Sequence, residues 1–152
     1  MKEKKDEEFS TFDAMRIVDI KRGRLMHWMN GEFIPTGKLV PWGRGFKTAF
    51  TLIELYSIAL FKECVDFSLS RKVAKEYMEF VDWNKIIGNG YELMVVQYQK
   101  RFIKDEKGRD EFVVRKGPLF RKDREELGKL RQSQIGFFID LKRIMDIVNI
   151  RL

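Results

Sequence analysis

Between Ala14 and Phe50 the chain carries seven basic residues, Arg16, Lys21, Arg22, Arg24, Lys38, Arg44 and Lys47, against two acidic ones, Asp19 and Glu32. Guanidinium and ammonium groups in such local excess suit phosphate oxygens, and Arg or His on a short helix can also hydrogen-bond the edges of bases. Leu25, Trp28 and Met29 fall at i, i+3 and i+4 and give a helix over Arg22 to Asn30 one inward face. Arg22, Arg24 and His27 then point elsewhere. Other chemistries find less support. His27 and Cys64 are the sole His and Cys, so one chain cannot assemble a structural zinc site, and a Cys-His nucleophile pair would join an outward helix to an apolar run. Gly43-Arg44-Gly45 and Gly88-Asn89-Gly90 lack the strand-to-helix setting of a phosphate-binding loop and read as turns. Asp105, Glu106, Asp110 and Glu111 lie among lysines and arginines on a polar hairpin tip, where solvation is their natural state. No catalytic constellation, metal site or cofactor site is expected, and the chain does not read as an enzyme.

The elements that must hold those cations can be read from caps and periodicity. Ser10-Thr11-Phe12-Asp13 is a hydroxyl cap with a carboxylate three residues on, opening a short helix that Asp19-Ile20-Lys21 breaks. The second helix follows at Arg22, with Gly31 as its stop, and the pair forms a helix-turn-helix pattern. Glu32-Phe33-Ile34 and Phe46 to Phe50 read as extended segments separated by residues 35–45, a hairpin with a long tip, or wing. Trp42 stands in that tip, placed either to lie along a sugar-phosphate edge or to fold back over the hairpin. Thr51 and Glu54 form a second capping box, with Phe50 and Leu55 as its hydrophobic staple, for a helix reaching Asp66. Ser70 caps a fourth helix running to about Trp83.

Gly88-Asn89-Gly90 marks a boundary, beyond which Tyr91 to Ile103 and Arg109 to Arg115 read as strands joined by Lys104 to Gly108. Gly117-Pro118 ends that hairpin, Arg121 to Gln134 is a charged connector, and Ile135 to Ile139 suits a third strand. Phe137-Phe138 fits either an inner sheet face or a partner surface. Leu141, Ile144, Met145, Val148 and Leu152 then recur at helical spacing. The expected fold class is α+β: a charged, disordered N-terminus over 1–8, a winged helix-turn-helix domain over 9–87, and a small β-hairpin-plus-helix module over 88–152.

Composition agrees with a globular chain that meets polyanions. The 152 residues are 44% hydrophobic and 35% charged, with a formal net charge of +7, which excludes wholesale disorder and a large barrel enzyme. Cys64 sits in the apolar run 52–67 and reads as a buried thiol in a reducing compartment. Neither a signal-peptide core nor an apolar stretch near the roughly 18 residues of a membrane span is visible. A cytoplasmic, nucleoid-associated protein is expected, with no membrane partner.

The run Met15 to Thr51 resembles the winged-helix DNA-binding domain of the MerR family of bacterial regulators. The resemblance lies in the short helix and turn, Leu25 and Trp28 three apart, Gly31, the Ile34-Pro35 step, the Gly45-Phe46-Lys47 triplet and the capped helix at Thr51, and covers about residues 9–83. It implies sequence-specific double-stranded DNA binding by a transcriptional regulator. Arg22, Arg24 and His27, beside Lys21, would face the major groove or its flanking phosphates. Arg44 and Lys47, with Lys38 and Trp42, would lie along the wing. A homodimer on two half-sites is expected, the second module offering the dimer surface. A protein-interaction or adaptor module on the same scaffold is the alternative. A small-molecule effector is left open.

Overall fold

The computed structural model describes residues 7–97, 102–104, 107–108, 110–112, 119–122 and 135–152. It is a mixed α+β protein whose chain divides into two compact units, residues 1–83 with 143–152, and residues 84–142. The sequence placed the division at 87/88 and gave the final helix to the second module. The observed division lies a few residues earlier, and residues 143–152 belong to the first unit.

In the first unit, β1 (Phe9–Ser10) leads directly into α1 (Thr11–Val18). The Ser10 hydroxyl accepts from the Asp13 amide at 3.2 Å, and the Asp13 carboxylate accepts from the Ser10 amide at 3.0 Å. The Ser10 hydroxyl bond is the main cause of a lowered Asp13 pKa; it outweighs the opposing effect of partial burial, and the Ser10 amide, Arg16 and Lys47 add to it. This cap therefore stabilises the fold above the ordinary carboxylate range and is lost as pH falls through the lowered value. Asp19, at φ 57 and ψ 59, takes the left-handed conformation that aspartate tolerates. It ends α1, and the Ile20 amide returns to the Met15 carbonyl at 3.0 Å.

Three residues later α2 (Arg22–Asn30) begins, with the bounds its apolar spacing predicts. The extended segment expected at Glu32 to Ile34 is absent. Glu32 has φ 54 and its amide bonds the Met29 carbonyl, while the Phe33 amide bonds that of Trp28, so the chain wraps the end of α2. The hairpin is instead β2 (Lys38–Trp42) and β3 (Gly45–Phe50), closed by Gly43-Arg44. Gly43, at φ 58, supplies the conformation that the first central residue of a tight II′ turn requires, so the tip is two residues long. Gly37 is equally constrained: a Cβ there would sit 2.7 Å from the Ala49 carbonyl oxygen. β3 is the centre of a sheet ordered β1-β3-β2, all antiparallel.

Thr51 and Glu54 cap α3 (Leu52–Asp66) reciprocally, and Phe50 and Leu55, its expected staple, are both fully buried. α4 (Arg71–Phe80) follows from the Ser70 cap. It stops three residues short of Trp83 because Val81 turns extended, and Trp83 starts a separate α5 (Trp83–Asn89). The Trp83 indole N–H donates to the Ser57 hydroxyl at 3.0 Å and its ring lies 5.3 Å from that of Tyr56. Around α3 the core is aromatic: Trp28 meets Phe61 edge-on at 4.8 Å, and Phe33 stacks on Phe61 at 6.2 Å.

The body of α6 (Leu141–Arg151) completes this unit. Ile144 and Val148 are buried, and the Tyr56 hydroxyl donates to Asn149 at 2.9 Å. Arg16 donates to the Arg151 carbonyl and Arg151 donates to the Ile17 carbonyl, so each guanidinium satisfies a carbonyl at the end of the other's helix. The stripe Ile144, Val148 is therefore occupied within its own chain. Cys64 is buried as expected, and burial, with Glu63 nearby, pushes its thiol up to about 12. The native protein is expected to resist iodoacetamide at neutral pH and to react only when unfolded; alkylation followed by mass spectrometry checks this.

In the second unit, β4 (Leu93–Gln97) is central between β7 (Leu119–Arg121) and β8 (Ile135–Asp140), both antiparallel to it. Leu93, Met94 and Val95 are consecutive and all buried, so both faces of β4 are covered. Of the long strand expected over Tyr91 to Ile103, the described residues hold β4 and β5 (Phe102–Lys104), the latter paired with β6 (Asp110–Phe112), and residues 98–101 lie outside the described residues. Arg121 ends a strand rather than opening a connector. The expected N-terminal disorder up to Asp6, the Gly117-Pro118 stop and the connector over 123–134 lie outside the described residues. The Glu92 carbonyl accepts from the Leu141 and Lys142 amides, capping the start of α6.

Candidate nucleic-acid interface

The outward face of α2 is set by what its inward face buries. Leu25, Trp28 and Met29 are buried, so Lys21, Arg22, Arg24 and His27 are exposed. Lys21 occupies the N-cap without a side-chain cap bond, and Gly23 leaves open space beside it. Lys21, Arg22 and Arg24 stand at the positive end of the helix dipole, which favours approach of an anion there, whereas His27 lies in the last turn.

Arg24 is engaged. It donates to the Asp66 carboxylate at 2.7 Å, and its guanidinium lies 4.5 Å from the Trp28 ring centroid. Lys62 reaches the same carboxylate at 2.8 Å. Partial burial alone would raise Asp66, but the bonds from Lys62 and then Arg24 outweigh it and hold the carboxyl below its ordinary value. The side chains are 40% and 39% exposed, so the Arg24–Asp66 pair is a surface one worth under about 1 kcal/mol, and phosphate can replace the carboxylate at little cost.

His27 Nε2 lies 2.7 Å from an Arg71 guanidinium nitrogen. Arginine has no acceptor, so Nε2 accepts and the ring's other nitrogen remains the donor. Arg71, whose guanidinium also lies 5.8 Å from the Phe33 ring centroid, thereby joins the α2 surface from the first turn of α4. Its link to α2 depends on a contact 44 residues away in the chain, which helical spacing does not encode.

On the hairpin, Lys38, Arg44 and Trp42 are exposed, and Lys47 is half-buried with its ammonium 3.6 Å from the Trp42 ring centroid. Trp42 has not folded back; it remains 66% exposed. Between Lys38 and Phe50 there are three basic residues and no acidic one. An open groove of about 620 Å³ lies beside α2, its lining including the cations Arg16, Lys21, Arg24 and Lys62 and the carboxylate of Asp19. Among the described residues no group of three His, Cys, Asp or Glu side chains is placed to hold a metal ion. No helix of the described residues is long and apolar enough to cross a membrane. Neither a scan of protein-family models nor a search of curated proteins finds a match to this chain.

Proposed function

We propose that the first unit is a winged helix-turn-helix DNA-binding domain and that the protein is a sequence-specific transcriptional regulator. The observation that carries this reading is a two-helix unit joined by only three residues, whose second helix buries one face and turns Lys21, Arg22, Arg24 and His27 outward. The hairpin that follows, with positive charge alone, supports it as a wing. In this reading α2 enters the major groove, Arg24 and His27 meet base edges, Lys21, Arg22, Lys38 and Lys47 hold phosphates, and Arg44 lies at the tip of the wing beside the backbone. The resemblance of residues 15–51 to the MerR family points the same way. A homodimer binding two half-sites is part of the proposal, since one short helix reads few base pairs.

Selection of bound duplexes from a random pool, followed by affinity measurements across a salt series, tests the reading. Log affinity is expected to fall with log salt by about 0.9 per neutralised phosphate, giving a slope of about −3.6 per subunit if Lys21, Arg22, Lys38 and Lys47 each take one, and about −7 for the proposed dimer. Binding that is absent at low salt, or flat across the series, sinks it. Light scattering of the duplex complex reads the dimer.

A further inference from the structure

Resting on the reading of the first unit as a duplex-binding domain, we propose that Phe46 is a wedge: the hairpin tip enters the minor groove and the Phe46 ring inserts at a flexible pyrimidine–purine step. Phe46 is 73% exposed, and Leu39, on the same face of the hairpin by register, is 69% exposed. Neither contributes to the core, and among the described residues no cation is stacked on Phe46, whereas Lys47 covers the ring of Trp42.

The tip is built for close approach. Trp42 pairs with Gly45 across the two-residue turn, which makes Pro41–Phe46 the adjacent, non-hydrogen-bonded pair, where side chains stand closest. Pro41 thus stands opposite Phe46 on the neighbouring strand, and its missing N–H falls on the open edge of β2. Gly43 and Gly45 flank Arg44 with open space at each position, so no side chain other than Arg44 precedes Phe46 at the apex.

The order of charge and apolar surface selects the partner. A hairpin that inserts into lipid leads with apolar residues and trails its cations; here Arg44 leads and Phe46 follows two residues behind. A leading arginine suits the narrow, electronegative minor groove, and an apolar ring behind it suits a base step that unstacks readily. Lys38 and Lys47, further down the hairpin, are then at the level of the flanking phosphates. Specificity for the flexible step arises because unstacking costs less there than in a stiff A-tract.

The test uses the full chain and two duplexes of equal length, one of alternating T·A and A·T pairs and one uniform A-tract, each carrying 2-aminopurine at its central adenines. Addition of protein is expected to raise aminopurine fluorescence on the alternating duplex, with about a tenfold affinity preference for it over the A-tract. Phe46→Ala should abolish the fluorescence rise and the preference while leaving the salt slope unchanged, and Phe46→Leu should keep part of both. Duplex binding without a fluorescence rise, or a rise that survives Phe46→Ala, overturns the wedge and leaves the DNA reading standing. Loss of all salt-dependent duplex binding in the wild type overturns both. Co-sedimentation with phosphatidylserine vesicles that depends on Phe46 while duplex binding does not would assign the tip to a membrane and overturn the wedge.

Discussion

Ending the chain at Lys142 is expected to destabilise the first unit by about 3 kcal/mol or more, a large fraction of the roughly 5–15 kcal/mol that holds a typical domain together. The segment removed carries Ile144 and Val148, both buried, each worth about 1.5–3 kcal/mol in apolar area. It also carries Asn149, which accepts from Tyr56, and Arg151, which exchanges carbonyl bonds with the end of α1. Removing it leaves the Ile17 carbonyl without that partner and uncovers apolar surface on its neighbours. Ile144→Ala in the full chain should cost about 2–5 kcal/mol by itself, because the residue is aliphatic and enclosed. Chemical denaturation followed by tryptophan fluorescence reads both, since Trp28 and Trp83 lie in the core of this unit. An unchanged midpoint in the truncated chain would show that the final helix is not part of the fold of residues 1–83.

That result bears on how the division of the chain could be read at all. The caps at Ser10, Thr51 and Ser70 and the apolar spacing of Leu25, Trp28 and Met29 are local signals, and the helices they announce start where expected, though the one from Ser70 ends three residues early. The periodicity of Ile144 and Val148 likewise announced a helix, but periodicity says only that a face is buried and not against what. Its placement rests on pairs such as Tyr56–Asn149, 93 residues apart, which no local pattern encodes. The misplaced strand at Glu32 to Ile34 has a similar origin. A short apolar run after a glycine is ambiguous, and Glu32 at φ 54 is a conformation that sequence propensity does not favour. The short turn was legible in principle, because Gly43 before Arg44 is the composition of a II′ turn and an edge strand such as β2 tolerates Pro41. For the candidate site, the sequence located every exposed cation of α2 and the hairpin. It could not show that Asp66 and Arg71 complete two of those side chains' environments, since both contacts close loops of more than 40 residues.

Asp66→Asn is expected to strengthen duplex binding by about three- to tenfold, and Arg24→Ala to weaken it by about five- to 150-fold at one base position. Both follow from the same geometry. Arg24 lies along Trp28 with its guanidinium on Asp66, so a base edge or phosphate must compete with that carboxylate for it. Neutralising Asp66 removes the competitor, releases Lys62 as well, and deletes a negative charge that opposes the approach of phosphate. The fold should be little affected, because the pair is surface-exposed and contributes under about 1 kcal/mol. The lowered pKa of Asp66 keeps the competing carboxylate charged at neutral pH, so its tether on Arg24 dissolves only as pH falls through that lowered value. The double variant decides the route: if Asp66 acts through Arg24, most of the gain from Asp66→Asn disappears once Arg24 is alanine, while a gain that persists in full assigns the effect to Lys62 and the removed charge. The salt slope gives a second readout, since an arginine newly engaged with phosphate steepens it by about 0.9, whereas one engaged with a base leaves it nearly unchanged. Competition between matched and mismatched duplexes separates these cases. Equal losses on every sequence for Arg24→Ala would make Arg24 a backbone contact, and an Asp66→Asn protein that binds no better than wild type would show that the carboxylate does not hold Arg24 back from DNA.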